Sequence, residues 1–189
     1  MPSSIYVIGS LRNETIPTVG TELRKAGWDA FDDWYAAGPE ADDKWKEYET
    51  SRGRSYAQAL EGHAARHVFS FDKAHLDRCD AAVLVLPAGR SGHLELGYMA
   101  GLGKRTFVLF DQDYSRWDVM YQFADATFTD LPSLIQGIEQ YRVKDRSSSY
   151  SILSDRSRVF SPSDYITLSD FNFKPNTSTN PNISTSLAG

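Results

Sequence analysis

The sequence predicts an α/β domain in which a parallel sheet carries helices on both faces. Three observations lead there. Residues 5–8 (IYVI), Ala81–Leu86 (AAVLVL) and Arg105–Phe110 (RTFVLF) are short continuous apolar runs, as expected of strands buried on both faces. The first run is followed by a loop, a helical pattern and a second apolar run, the order of a parallel β–α–β crossover. The run AAVLVL opens through Pro87-Ala88-Gly89-Arg90-Ser91-Gly92 into another helical pattern, a strand–loop–helix unit. Ligands of such sheets collect at the carboxyl ends of the strands, where loop amides and helix N-termini converge.

The elements follow in order. The first strand ends in Gly9-Ser10-Leu11-Arg12-Asn13, and Pro17 suits the first position of a helix running to Lys25 or Ala26, with Gly27 just past its end. Residues 28–34 read as the second strand, closing on Asp32-Asp33, and 35–43 as a loop rich in Gly, Pro and acids. From Asp42 a polar helix is expected with Trp45 and Tyr48 as its apolar stripe, broken by Gly53. One or two further helices fill 56–78. Beyond the third strand a helix is expected over 93–103, then the strand RTFVLF, a helical patch at 118–123, a short strand at 126–128 and a last helix over 132–141. After Arg146 Ser, Thr, Asn and Pro dominate. The sequence therefore divides into an α/β domain at 1–146 and an extended or disordered tail at 147–189, with at most a short strand near 164–168.

Composition narrows the function. A net charge of −5 disfavours binding to nucleic acid or to an anionic membrane. No apolar run approaches 18 residues and the first residues carry no signal-peptide pattern, so a soluble, cytoplasmic protein is expected. Cys79 is the single cysteine, which excludes an internal disulfide framework; it precedes a buried strand and is read as a packing residue. His63 and His67 stand at i, i+4, but Ala64-Ala65-Arg66 supply no acid between them and no third ligand is evident, so no metal is expected. There is no GxGxxG fingerprint, no GxxxxGK[ST] loop and no GxSxG elbow, and no cofactor is expected. What remains is Tyr6 on the first strand, Asp72 ahead of the third and Glu95 after it. Placed in the first turn of the 93–103 helix, Glu95 is expected to be ionised, favoured by the helix dipole by roughly 0.3–1 kcal/mol. A first-turn acid also serves as a plain helix cap.

Ile5-Tyr6-Val7 with Gly9-Ser10-Leu11-Arg12, Asp72 eight positions before Asp80, Leu94-Glu95-Leu96-Gly97-Tyr98 followed by Gly103-Lys104, and Asp118-Val119-Met120 form a spaced set. On these residues the chain resembles, over roughly 4–142, the nucleoside 2-deoxyribosyltransferase family and its relatives that hydrolyse nucleoside 5′-monophosphates. The resemblance implies a flavodoxin-like or Rossmann-like sheet. It implies that Glu95 attacks the anomeric carbon to form a glycosyl–enzyme, that Asp72 handles the proton on the base, and that Tyr6 positions Glu95. Cleaving an N-glycosidic bond passes through an oxocarbenium-like state, so an ionised carboxylate under the ring and a separate proton donor suit the chemistry.

The same resemblance places the substrate-binding residues. Gly9, Ser10, Arg12 and Asn13 belong to the first loop and Gly89, Ser91 and Gly92 to the loop before Glu95. Ser10, Arg12 and Ser91 are the candidates for a 5′-phosphate, with helix capping as the plain alternative for the two serines. Gly89 stands where the transferases often carry an Asp that touches the sugar hydroxyls. Residues 35–62 read as an insertion which, with Trp34, Trp45, Arg52 and Arg54, reshapes or covers the pocket. Asp118 and Met120 belong to a segment that reaches into a neighbouring subunit, implying a homo-oligomer, dimer or higher, with shared sites. The expected partner is a small-molecule nucleoside or nucleotide, with no nucleic acid and no membrane. The expected reaction is N-glycosidic cleavage with transfer of 2-deoxyribose to another base. Hydrolysis of a deoxynucleoside 5′-monophosphate is the near alternative; an NAD-type N-glycoside hydrolase and a non-catalytic nucleotide sensor are more distant ones.

Overall fold

A computed structural model describes residues 3–110 and 118–142. The expected tail at 147–189, with its short strand near 164–168, lies outside the described residues.

Five strands form one parallel sheet in the order β2-β1-β3-β4-β5. They are β1 (Ser4–Ile8), β2 (Asp29–Phe31), β3 (Ala81–Leu86), β4 (Arg105–Phe110) and β5 (Ala126–Phe128). The chain steps outward from β1 to β2, then returns to lay β3 on the other side of β1, so the strand order reverses between β1 and β3. Tyr6 pairs with Phe31 on one side and with Ala82 on the other.

Alternation along the strands divides the core in two. Ile5, Val7, Val83, Val85, Phe107 and Leu109 pack with α1 (Ile16–Lys25) and α6 (Leu131–Ile138) through Ile16, Val19, Leu23, Leu134 and Ile138. Tyr6, Ile8, Ala82, Leu84 and Val108 face the other way. They meet Leu76 of α4 (His63–Arg78) and Leu96 and Met99 of α5 (Arg90–Gly101).

Helix α1 starts and stops where the sequence places it, with Pro17 in its first turn and Gly27 past its end at φ +84°. Strand β2, by contrast, ends at Phe31 instead of running to Trp34. The Asp32 carboxylate turns back onto Arg24 in a two-pronged ion pair of 2.8 and 2.9 Å. Residues Asp33–Ala37 then wind into a 3₁₀ turn that lays Trp34 over the sheet, its indole N–H donating to the Val7 carbonyl at 2.8 Å. A β-favouring aromatic side chain is thus held here by one hydrogen bond in a turn.

Helix α2 (Ala41–Ser51) also departs from its expected face. Tyr48 is exposed, and the residue that α2 buries is Glu49, paired with Arg54 at 2.9 Å. Gly53, at φ +70°, ends the helix as expected. Helix α3 (Tyr56–Leu60) opens on a capping box made by Ser55 and Gln58. The last carbonyls of α4 are met by one cation. Lys104 Nζ donates to Leu76 O at 2.8 Å, Asp77 O at 2.6 Å and Cys79 O at 2.7 Å.

Helix α5 begins at Arg90, three residues before the expected start, with Gly89 as its N-cap. Gly92 therefore lies inside the first turn and against the sheet. A Cβ on Gly92 would sit 3.1 Å from both Ile8 Cγ2 and Leu84 Cδ1, so glycine lets the helix start close over β1 and β3. Beyond β4 come a 3₁₀ turn at Val119–Phe123, β5, α6 and a closing 3₁₀ turn at Glu139–Tyr141. Among the described residues no helix is long and apolar enough to cross a membrane.

Candidate active site

The reversal of strand order puts the loops after β1 and β3 side by side, the place where ligands bind in open parallel sheets. Asn13 ties them together. Its amide nitrogen donates to Val85 O at 3.4 Å and Pro87 O at 3.3 Å, while its oxygen accepts from Thr15 N at 3.1 Å and Thr15 Oγ1 at 2.7 Å. Asn13 is buried. Its polar groups hold the two loops together.

The three residues that the motif spacing singles out lie on the face of the sheet covered by α4 and α5. Tyr6, central in β1, is only 1% exposed and packs against Phe31 with ring centroids 5.1 Å apart. Its hydroxyl donates to Asp72 Oδ1 at a long 3.5 Å. Asp72 sits on α4 and is half-buried, as is Glu95 on α5. Burial, followed by the charges of Glu95 and Asp72, pushes the Tyr6 hydroxyl far above its ordinary range. Tyr6 is therefore a neutral donor close to both acids, and its hydrogen bond goes to Asp72 rather than to Glu95.

The two carboxyls sense one another. Burial, then the Asp72 charge, pushes Glu95 up to about 7. Asp72 is raised by burial, against the lowering effects of the Tyr6 hydrogen bond and of His75. The expectation that Glu95 is ionised by the helix dipole is corrected here. With α5 starting at Arg90, Glu95 falls in the second turn, beyond the reach of the dipole, and desolvation dominates. Both carboxyls are thus held above their ordinary range by burial, so a proton can be gained or lost at this pair close to neutrality.

His75 was not singled out from the sequence. It lies one turn after Asp72 on α4, its ring stacked flat on Phe31 at 3.7 Å and 8°, with Phe71 at 4.6 Å. Its Nδ1 is buried without a hydrogen-bond partner. The i, i+3 spacing of Asp72 and His75 on a helix was the available signal. His93 was missed as well: its ring nitrogens meet Gly89 O at 2.9 Å and Tyr121 Oη at 3.0 Å, tying the first turn of α5 to the 3₁₀ turn after β4.

Other residues of the spaced set hold the frame. Tyr98 Oη donates to Asp77 Oδ1 at 2.6 Å and accepts from Lys73 Nζ at 2.9 Å, fastening α5 to α4 on the side that carries Asp72. Asp80 Oδ2 accepts from Ser4 N and Ser4 Oγ, each at 2.9 Å, fixing β3 beside β1. Gly9 is a packing glycine, since a Cβ there would lie 2.3 Å from Ile16 Cδ1. Gly89 is open: a Cβ there would meet nothing within 4 Å.

In the first loop Ser10 Oγ accepts from Arg12 N at 3.2 Å, and the Arg12 guanidinium is exposed and ion-paired with Asp43 at 2.8 Å. Ser91 is exposed in the first turn of α5 and is not its cap. Trp34 lies on the sheet at the end of β1, partly buried. Asp118 caps its 3₁₀ turn by accepting from Met120 N at 2.9 Å, and Val119 and Met120 are 76% and 59% exposed. His63 and His67 are exposed, and among the described residues no three His, Cys, Asp or Glu are grouped to hold a metal ion. Cys79 is buried and its thiol is pushed up to about 11 by that burial, in keeping with packing.

No family model matches the chain, and no curated protein does. Among solved structures it is similar to the CMP N-glycosidase of Clostridium botulinum, with 10% identity over 72% of this chain and 99% of that one and a TM-score of 0.45. It is also similar to a 2-deoxyribosyltransferase from the psychrotolerant bacterium Bacillus psychrosaccharolyticus, with 17% identity, 78% of this chain and 96% of that one, and a TM-score of 0.49.

Proposed function

We propose that this protein cleaves the N-glycosidic bond of a deoxynucleoside and transfers the 2-deoxyribosyl group to another base, with Glu95 as nucleophile. The observation that carries the reading is the meeting of Tyr6, Asp72 and Glu95 at the strand-order reversal, with two acids coupled across a buried phenol. In the reaction the Glu95 carboxylate bonds to the anomeric carbon as the bond from that carbon to the base nitrogen breaks. The bonding pair leaves with the base, and Asp72 supplies the proton that neutralises it. An incoming base then attacks the anomeric carbon, Glu95 departs as carboxylate, and the proton returns to Asp72. Tyr6 stays neutral and fixes the Asp72 carboxyl. Ser10, Arg12, Gly89 and Ser91 approach the sugar from the two loops and Trp34 from the turn after β2, while Gly9, Asn13 and Gly92 hold the backbone behind them.

Transfer is preferred to hydrolysis because Val119 and Met120 are apolar, exposed and close in sequence to Tyr121, which bonds the first turn of α5. Covered by a second copy of the chain, they and Asp118 shield the glycosyl–enzyme from water. The reading therefore includes a homo-oligomer with shared sites, in a cytoplasmic setting. Base release from a panel of deoxynucleosides and their 5′-monophosphates, with and without an acceptor base, tests it. Formation of a new nucleoside on adding acceptor supports transfer. Release to water that no acceptor diverts makes the protein a hydrolase, and no release from any member removes the reading.

A further inference from the structure

The Arg12 guanidinium stands at the carboxyl end of β1, in the loop that Asn13 fastens to the loop after β3. It is a cation in one of the two loops that the proposed site uses. It is already engaged: Arg12 Nη2 meets Asp43 Oδ2 at 2.8 Å, with both side chains more than half exposed. Asp43 lies in the first turn of α2 beside Asp42, where the helix N-terminus favours a negative charge. Glu40, just before the helix, is occupied with Lys44 at 3.0 Å. The wall facing the first loop is therefore acidic, and its one acid within reach of Arg12 neutralises it.

We propose that Asp43 is a specificity-determining residue that holds Arg12 and so biases the site toward sugars with a free 5′-hydroxyl over those with a 5′-phosphate. The proposal rests on the reading of the site as one for a nucleoside or nucleotide. A phosphate dianion arriving at Arg12 must either displace the Asp43 carboxylate or share the guanidinium with it, and in both cases lies beside a like charge. A hydroxyl leaves the ion pair in place. Asp43 thus acts through Arg12, at a distance in sequence from every motif residue.

The test is equilibrium binding of 2-deoxyribose 5-phosphate and of 2-deoxyribose to the full chain, its Asp43→Asn variant, and the Arg12→Ala/Asp43→Asn double variant. Asparagine keeps the shape and removes the charge. The phosphate sugar should bind the Asp43→Asn protein about tenfold more tightly, the gain of a charge-assisted contact on a freed Arg. The plain sugar should be unchanged, and the double variant should lose the gain. An unchanged ratio of the two affinities overturns the proposal, as does a gain that survives loss of Arg12. Base release is followed on the same proteins. A phosphate gain with no base release from any substrate leaves the Asp43 assignment standing and removes the proposed reaction. Base release without the gain does the reverse, and no binding of either sugar to any of the proteins overturns both.

Discussion

The two faces of the sheet are built from the same five strands to different ends. Toward α1 and α6 the inward positions are aliphatic or aromatic, from Ile5, Val7, Val83 and Val85 to Phe107 and Leu109. Toward α4 and α5 the same alternation places Tyr6 where an aliphatic residue would pack. The helices that cover it bring two carboxyls and an unpartnered imidazole nitrogen to its edge. One face holds the fold together. The other gives up some of that stability to keep Glu95 poorly solvated, its proton retained to about pH 7.

Glu95→Ala should separate the faces most sharply. It should lower base release by several orders of magnitude, since the covalent route is lost, and leave the far-ultraviolet circular dichroism near wild type. A variant keeping more than about a tenth of wild-type turnover would remove Glu95 from the mechanism.

Asp72→Asn comes next. Loss of a proton donor should cost about 10²–10⁴-fold in kcat on poor leaving bases and much less on activated ones. Equal losses on both would assign Asp72 a positioning role only. The mirror experiment lies on the other face. Leu134 is fully buried against α1 and the sheet; Leu134→Ala should cost about 2–5 kcal/mol in denaturant unfolding and leave the activity of the folded fraction intact.

The smallest expected effect concerns pH and stability. The Glu95 carboxyl loses its proton near 4.5 when unfolded and near 7 when folded. Between those values the folded state binds more protons, so stability falls as pH rises through the window, by up to about 3 kcal/mol. Glu95→Gln should therefore be more stable than wild type above pH 7 and no more stable below pH 4. Equal stability gains at both ends of the range would show that the gain is packing, not ionisation. In the same window the wild-type kcat/KM for base release should rise with pH toward about 7, as the nucleophile ionises.

The strands and both core faces were legible because apolar runs and Gly punctuation carry them locally. The runs IYVI, AAVLVL and RTFVLF all fall in β1, β3 and β4. Where the sequence misled, a long-range contact had overridden local preference. Trp34 left the strand for a hydrogen bond to Val7 O, and Glu49, not Trp45 or Tyr48, became the buried face of α2 because Arg54 neutralises it. The early start of α5 mattered most. Local sequence puts Gly92 in a loop, whereas it lies in the first turn of the helix and seats it on the sheet. That shift of three residues moves Glu95 out of the first turn, so burial rather than the helix dipole sets its proton affinity. Motif spacing singles out Tyr6, Asp72 and Glu95, which the fold brings near one another; the pairing of Arg12 with Asp43 depends on tertiary packing and leaves no sequence trace.

The central claim is that Glu95 carries the sugar. Incubation with a nucleoside whose 2-fluoro sugar slows turnover, followed by intact mass and peptide mapping, tests it directly. The account predicts one sugar per chain, on Glu95, formed faster as pH rises toward about 7 and absent from Glu95→Ala. Base release with no adduct, or an adduct on Asp72, would contradict it.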